Sequence, residues 1–238
     1  MNTTASTIGQ LVAENPGRSR TFERLGIDYC CGGKRTLRDA CIELGLDSEK
    51  VCVELQESGQ SNTDCAKDWP NRSIAELTAH IEAVHHGYLR RELPRLAMLI
   101  EKVSQVHGDL HPELRELRTI YGKFKDELEF HMQKEERILF PYCRELETSN
   151  SRPVLHCGSV RRPVQVMEAE HNDAGEAMRL FRTLTKDYSP PEGACGSYRA
   201  MLAGLADLEL DMHQHVHEEN NILFPRAIAL EDSFAANS

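Results

Sequence analysis

The sequence contains 238 residues, with 28 lysines and arginines against 38 aspartates and glutamates, which gives a formal net charge of −10 at pH 7. This acidity argues against a nucleic-acid backbone or an anionic membrane surface as the main partner. No apolar run approaches the roughly 18 residues of a membrane-spanning helix, and the polar N-terminus has no signal-peptide apolar segment. We therefore expect no nucleic acid and no membrane as partners, and a cytoplasmic location.

Short helical patterns fill the first part of the chain. They cover residues 7–13, 19–25, 36–44 and a stretch from Ser48 to about Glu57, and prolines, glycines and polar residues separate them. Between the second and the third lies the turn DYCCGGK, residues 28–34, which contains the adjacent cysteines Cys30 and Cys31. The sequence predicts a small helical domain over residues 1–57, followed by a linker over residues 58–70 that lacks apolar periodicity.

Long helical patterns make up the rest of the chain, near residues 73–106, 112–148, 160–187 and 195–230. Ser73 and Glu76 form a capping-box start for the first, and Gly108 separates it from the second. Four long helices joined in this way predict an all-α fold, an up-down-up-down four-helix bundle over residues 71–232. Because proline disrupts helical hydrogen bonding, we expect kinks or early helix ends near Pro94, Pro141 and Pro225.

An internal repeat contains the most informative residues. Residues 131–141 read HMQKEERILFP and residues 215–225 read HVHEENNILFP, identical at six of eleven positions. Residues four apart on a helix share a face, so His131 projects with Glu135, and His215 projects with Glu219. Two copies of this imidazole–carboxylate pair predict the two halves of one metal site. His213 and His217 are also four apart and offer an alternative surface chelate.

The other two long helices supply the remaining candidate ligands. The first contains His80, His85 and His86, and the third contains His171. The sequence separation between His86 and His131 nearly equals that between His171 and His215. This match favours His86 as the ligand from the first helix over His80 and His85, with His85 as the alternative.

Four imidazoles and two carboxylates are too many donors for a single zinc ion, so the set predicts two metal ions. Nitrogen-rich donors with bridging carboxylates favour iron over manganese or zinc. We expect one iron on His86 and His131 and the other on His171 and His215, with other pairings open. Glu135 and Glu219 would bridge the irons, and a solvent-derived oxygen would complete the core.

These residues resemble the hemerythrin-like family of four-helix di-iron proteins. The predicted small domain over residues 1–57, with its DYCCGGK turn, resembles the N-terminal domain of the iron–sulfur cluster repair di-iron proteins, the repair-of-iron-centres family. In that family it is fused to a hemerythrin-like domain. The resemblance extends over the small domain, the linker, both repeat copies and the segment EAEHNDAG, residues 168–175. It implies two oxo- and carboxylate-bridged non-haem irons with the ligands His86, His131, Glu135, His171, His215 and Glu219.

The same resemblance implies a function and its alternatives. The implied function is the repair of iron–sulfur proteins whose clusters nitrosative or oxidative stress has damaged, by iron donation. Related members are described as nitric-oxide-binding di-iron proteins of denitrifying bacteria, so nitric oxide is an expected ligand, to be scavenged or sensed. A catalytic alternative is reductive coupling of nitric oxide. The fifth histidine of oxygen carriers has no clear match here, which argues against a reversible oxygen carrier. His107 is expected either to support the ligands from outside the ligand set or to be structural. A homodimer is an alternative to a monomer.

The eight cysteines form no CxxC pair, which argues against a zinc finger. Adjacent cysteines rarely form an unstrained disulfide, so Cys30 and Cys31 are expected as free thiols. We expect this pair to contact iron, nitric oxide or a partner's cluster, with Lys34 lowering a thiol pKa. The alternative is a turn with one buried and one exposed thiol. The other cysteines are expected to pack or to have no role, namely Cys41, Cys52, Cys65, Cys143, Cys157 and Cys195.

Overall fold

The computed structural model describes residues 3–58, 69–154 and 158–236. Within these ranges the regular elements are helices, with one isolated β-bridge between Thr7 and Thr36, so the all-α prediction is confirmed. None of the helices described has the length and apolar content needed to cross a membrane. The chain divides into two compact units. We call residues 1–78, 143–154 and 213–238 the head unit, and residues 79–142 and 155–212 the bundle unit.

Four short helices open the head unit, at the predicted places. They are α1 (Ile8–Glu14), α2 (Ser19–Leu25), α3 (Leu37–Leu44) and α4 (Ser48–Ser58). Thr7 and Gln10 form a capping box at the start of α1, and Thr36 caps α3. Their apolar faces form one buried core, which includes Ile8, Leu11, Phe22, Ile27, Tyr29, Leu37, Ala40, Val51 and Leu55.

Seven helices account for the four long patterns. They are α5 (Ile74–Ile81), α6 (Gly87–His107), α7 (Glu113–Lys134), α8 (Phe140–Thr148), α9 (Arg161–Leu184), α10 (Gly196–Glu218) and α11 (Phe224–Ala236). The predicted capping box at α5 is confirmed, since Ser73 and Glu76 exchange backbone-to-side-chain hydrogen bonds of 3.1 Å. Three single π-helical turns replace regular helix at Glu82–His86, Glu135–Leu139 and Glu219–Leu223.

The helices α6, α7, α9 and α10 form the four-helix bundle, as predicted. Helix α7 packs against both α6 and α9. The rings of Tyr121, Phe124 and Phe181 form an aromatic cluster with centroids 5.4 to 6.1 Å apart. The Tyr121 hydroxyl donates a 3.0 Å hydrogen bond to the carbonyl of Leu93, which ties α7 to α6.

Some predicted helix ends are wrong. An early end at Pro94 is one of them, since helix α6 continues through this residue, whereas the alternative of a kink there stays a prediction. Pro141 and Pro225 are each the second residue after a π-helical turn, and the wider turn accommodates the missing N–H without ending the helix. Helix α9 ends at Leu184 instead of 187, because residues 186–188 have φ values of 52°, 61° and 56°.

The predicted domain boundaries stay predictions. Residues 59–68 of the predicted linker lie outside the described residues, as do Cys65 and Cys157. At the end of that linker Trp69 is buried, and its indole N–H donates to Glu218 at 3.1 Å within the head unit.

Two helix-interior glycines of the bundle unit give a matched stability test. A Cβ on Gly204 of α10 would lie 2.6 Å from the buried Leu96 side chain, whereas one on Gly122 of α7 would meet open space. Alanine at either site gains about 1 kcal/mol of helix propensity. We expect Gly122→Ala to raise the free energy of unfolding by about that amount. Because the new methyl group overpacks the α6–α10 contact, the free energy of unfolding of Gly204→Ala should be about 1–3 kcal/mol lower than that of Gly122→Ala. Equal stabilisation in urea unfolding would contradict the close α6–α10 packing.

Candidate metal centre

Each of the three π-helical turns contains a predicted ligand. Glu135 and Glu219 are the first residues of their turns, and His86 is the last residue of the third. A π-helical turn inserts one residue into the helix and so changes which side chains face the core. Single π-helical turns are frequent at functional sites. The sequence repeat therefore corresponds to a repeat of local backbone geometry.

In the bundle unit, Glu135 lies between two histidines. Its Oε1 is 3.2 Å from Nε2 of His131, and its Oε2 is 3.4 Å from Nε2 of His86. All three side chains are buried. One carboxylate thus directs its two oxygens at two different imidazoles, the arrangement expected of a carboxylate that bridges two ions.

A second carboxylate orients each of these imidazoles. Nδ1 of His86 lies 2.7 Å from Glu136, and Nδ1 of His131 lies 2.7 Å from Glu170. An ionised carboxylate only accepts, so each Nδ1 carries a proton, and in the neutral form of each ring the lone pair lies on Nε2.

Cations hold both outer carboxylates in the charged form. Hydrogen bonding from His131, and then from Lys134, lowers the pKa of Glu170 despite burial. Burial alone would raise the pKa of Glu136, but hydrogen bonds from Arg90 and His86 outweigh it and lower the pKa.

His171 completes the cluster in the bundle unit. Its Nε2 lies 3.0 Å from Nε2 of His131, and both rings are buried. The ligand atoms of His131, Glu135 and His171 lie within 4.8 Å of one another. This geometry favours pairing His131 with His171, instead of with His86 as expected from the sequence.

The electrostatics of this cluster fit a cation. Lone pairs on Nε2 of His86 and His131 face the oxygens of Glu135, and such an arrangement is repulsive unless a proton or a metal ion lies between the atoms. Burying a carboxylate without compensation is costly. The nitrogen and oxygen donors, without thiolate, suit iron, manganese or zinc.

The second repeat copy, in the head unit, has the same local geometry. Nε2 of His215 lies 3.1 Å from Oε1 of Glu219, and both side chains are fully buried. The corresponding distance in the first copy is 3.2 Å, between His131 and Glu135. Both copies therefore present an imidazole and a carboxylate in the same way.

Other histidines have different surroundings. Nδ1 of His85 lies 2.9 Å from Asp211, and its ring is in contact with that of His80, so His85 faces a different set of residues from His86. The surface chelate of His213 and His217 is wrong, because His217 is buried against the ring of Tyr29. Burial lowers the pKa of His217 to about 4.

The cysteine turn is folded around one aspartate. Oδ1 of Asp28 accepts the backbone N–H groups of Cys30 and Cys31 at 3.1 and 2.9 Å and lies 3.2 Å from Sγ of Cys30. The two sulfurs are 4.0 Å apart, and the two cysteines form no disulfide. The hydrogen bond with Cys31, together with burial, raises the pKa of Cys30, so the expected lowering by Lys34 is wrong for this thiol.

Asn221, in the π-helical turn that begins at Glu219, holds this cysteine turn. Its Nδ2 donates to the carbonyls of Tyr29 and Cys30 at 3.2 and 3.1 Å. A Cβ on Gly33 would lie 2.4 Å from Asn221 Oδ1, so only glycine allows this close approach. Within the head unit, the cysteine turn is thus attached to the turn that contains Glu219.

A surface groove leads to the bundle histidines. It encloses about 580 Å³ between α7 and α9, and His131, Glu170 and His171 form part of its lining. The groove therefore extends to the helix faces that contain these two buried histidines.

Comparison with known proteins agrees with this geometry. Residues 77–227 match the model of the Hemerythrin HHE cation binding domain, and residues 4–58 match a domain of unknown function, DUF542. Proteins named iron-sulfur cluster repair protein YtfE are similar over most of the chain. The one from Pectobacterium carotovorum subsp. carotovorum (strain PC1) is 36% identical over 226 residues, 93% of this chain and 96% of that protein. The chain belongs to the YtfE family.

Two further relatives in this family have the same name. The protein from Enterobacter sp. (strain 638) is 37% identical over 94% of this chain and 97% of its own length. That from Edwardsiella ictaluri (strain 93-146) is 38% identical, with coverage of 93% and 96%. The predicted resemblance is confirmed, and the chain contains a cation-binding domain with buried histidines and glutamates.

Two residues that orient the histidines were not predicted from the sequence. Glu136 orients His86 but aligns with Asn220 in the second repeat copy, so the repeat does not indicate it. Glu170 lies in the segment EAEHNDAG, but its contact with His131 joins two helices that are far apart in sequence. The sequence therefore contains no signal for either role.

Removing the charge from Glu170 tests this support. We expect Glu170→Gln to weaken metal binding by about 10- to 100-fold, because the oriented imidazole of His131 becomes less basic. Metal retained after dialysis against graded chelator concentrations measures the change. Glu176→Gln is the matched control, since it removes a carboxylate from the same helix and the same groove. Equal retention by the two variants would contradict the orienting role of Glu170.

Proposed function

We propose that the chain binds two non-haem irons and repairs damaged iron–sulfur clusters by donating iron, in the cytoplasm. The observation that carries the proposal is the placement of Glu135, with one oxygen facing His131 and the other facing His86. The proposed ligands are His86, His131, Glu135, His171, His215 and Glu219. Glu135 and Glu219 would be the carboxylates that the two ions share.

The equivalence of the two repeat copies supports this ligand set. In each copy the glutamate begins a π-helical turn, is fully buried and lies about 3 Å from the histidine four residues earlier. Each repeat copy buries one carboxylate, which is unfavourable without a nearby positive charge. Either each copy binds its own cation, or one centre serves both copies. The shared frame and the four-helix fold favour one centre with two ions.

Imidazole and carboxylate ligands also suit a donor of iron. Bound iron would supply Lewis acidity and one-electron chemistry, and such ligands release an ion when they are protonated. The protein's part is to orient imidazoles through Glu136 and Glu170 and to keep the ions from bulk water. The names of the relatives support damaged iron–sulfur clusters as the recipients of the iron.

The cysteine turn is the proposed contact with the recipient. Asp28, Cys30 and Cys31 bring one carboxylate and two sulfurs within 4.8 Å of one another, a set that can hold an iron ion in transit. Asn221 fixes this turn beside the π-helical turn of Glu219. The described cysteines are thiols outside any disulfide, which supports a reducing compartment.

Nitric oxide binding is a second candidate function, supported by the groove between α7 and α9. A diatomic molecule that enters this groove reaches His131 and His171 directly. Scavenging or sensing would then accompany repair. Uptake of nitric oxide by the reduced protein without transfer of iron to an acceptor would favour this function over donation.

Neighbouring histidines test the ligand assignment. We expect His86→Gln to lose at least about half of the bound iron, because Nε2 of His86 faces Glu135. His85→Gln is the matched control, since His85 is also buried but is paired with Asp211. Iron per chain by elemental analysis is the readout, with circular dichroism as a check on folding. If His85→Gln lost iron and His86→Gln did not, His85 would be the ligand, which would contradict the assignment.

Replacing the adjacent cysteines tests the transfer step. We expect the double variant Cys30→Ser, Cys31→Ser to retain its iron and to restore a damaged-cluster acceptor much more slowly. The control is Cys52→Ser, which changes another free thiol of the head unit. Restoration of aconitase-type activity measures repair. A double variant that repairs at the control rate would rule out the transfer role, and one that loses iron would make the pair structural.

A further inference from the structure

Cys195 and His107 form a thiol–imidazole pair in the bundle unit. Nε2 of His107 lies 3.3 Å from Sγ of Cys195, although 88 residues separate them in sequence. Among the described cysteines, Cys195 is the exposed one. The His107 ring lies 5.5 Å from that of Tyr198, which limits the orientations of the imidazole. Of the two expectations for Cys195, packing is therefore wrong, because the thiol is exposed.

Two helix ends meet at this pair. Cys195 directly precedes α10, and its carbonyl accepts the N–H of Arg199 at 3.1 Å, so it occupies the N-cap position. His107 is the last residue of α6. The positive end of α10 favours a thiolate, and the negative end of α6 favours an imidazolium, so both helix dipoles stabilise the charged pair.

Local hydrogen bonds act in the same direction. The backbone N–H of Tyr198 and the side chain of His107 lower the pKa of Cys195 to about 7, with a smaller contribution from the N–H of Ser197. By contrast, burial raises the pKa values of Cys41 and Cys52. Cys195 thus combines exposure, an imidazole partner and backbone donors.

We propose that the Cys195–His107 pair is a reactive thiol site, separate from the iron ligands and from the Cys30–Cys31 turn, that is modified by low-molecular-weight disulfides. His107 ends α6 and Cys195 directly precedes α10, so both residues lie at one end of the four-helix bundle. The site therefore gives the chain a reversible thiol modification that needs neither the metal nor the head cysteines.

The step is thiol–disulfide exchange. The proton of Cys195 moves to Nε2 of His107, and the thiolate attacks one sulfur of the disulfide. A new sulfur–sulfur bond forms to Cys195 as the original one breaks. The second sulfur leaves as a thiolate and takes a proton from His107 or from water. Cys195 is oxidised and the leaving sulfur is reduced, so no other oxidant is required.

The expected rate advantage is modest. Relative to an ordinary thiol, a pKa near 7 gives about 15 times more thiolate at pH 7. A less basic thiolate is also a weaker nucleophile, which removes about fivefold. The net gain is about threefold, and the exposure of Cys195 adds to it relative to half-buried Cys52.

Alkylation of the full-length protein tests the site. The protein is treated with iodoacetamide from about pH 5.5 to 9 and separately with oxidised glutathione, and each cysteine peptide is quantified by mass spectrometry. We expect the Cys195 peptide to react with a midpoint near pH 7, at least about threefold faster than that of Cys52 at neutral pH, and to form the glutathione adduct. Equal rates, a midpoint above pH 8 or absence of the adduct would overturn the proposal.

A variant of the imidazole tests the pairing. Other titratable groups around it are His111, whose ring contacts Tyr198, Glu113, which lies 3.2 Å from His111, and Arg199, which donates to the carbonyl of Ala194. We expect His107→Asn to raise the alkylation midpoint of Cys195 by about half a pH unit or more. The matched control His111→Asn should leave it unchanged. A shift in the control but not in His107→Asn would overturn the pairing.

Discussion

The burial of Glu135 between two imidazoles is the constraint on which the rest of the site depends. A fully buried carboxylate is costly unless opposite charge lies close to it. The chain surrounds it in two directions with alternating basic and acidic side chains. From Glu135, one series runs through His86 to Glu136 and Arg90, and the other runs through His131 to Glu170 and Lys134.

Each series ends at a partly exposed cation. The outer carboxylates therefore stay ionised, and the imidazoles stay oriented with Nε2 toward Glu135. A cation among the Nε2 atoms and the carboxylate would complete the alternation of charge. In this chain, the buried histidine and glutamate of the repeat thus lie in the segment that matches the cation-binding domain.

Where the two repeat copies differ, the second copy makes contacts within the head unit. Glu136 and Arg137 of the first copy are replaced by Asn220 and Asn221, and Asn221 holds the cysteine turn. In the same way, Lys134 corresponds to Glu218, which accepts the indole N–H of Trp69. The positions that the two copies share supply the proposed ligands. Two positions at which the copies differ, Glu218 and Asn221, hold Trp69 and the cysteine turn. This division gives the chain a physical connection between the cysteine turn and the turn that contains Glu219.

The helices and the histidine–glutamate pairs could be predicted because they depend on local spacing. A hydrogen bond from residue i to residue i−5 leaves little trace in composition, so the π-helical turns at Glu135 and Glu219 could not be predicted. The roles of Glu136 and Glu170 depend on distances between helices, which one sequence does not contain. The pairing of His107 with Cys195 depends on where α6 ends relative to the start of α10.

Diffraction at the iron absorption edge, from crystals of the iron-loaded protein, tests the central claim most directly. The account predicts two anomalous peaks about 3.5 Å apart, with Glu135 in contact with both and His131 and His171 on the same ion. A single peak, or peaks at a place that the side chain of Glu135 does not reach, would contradict it.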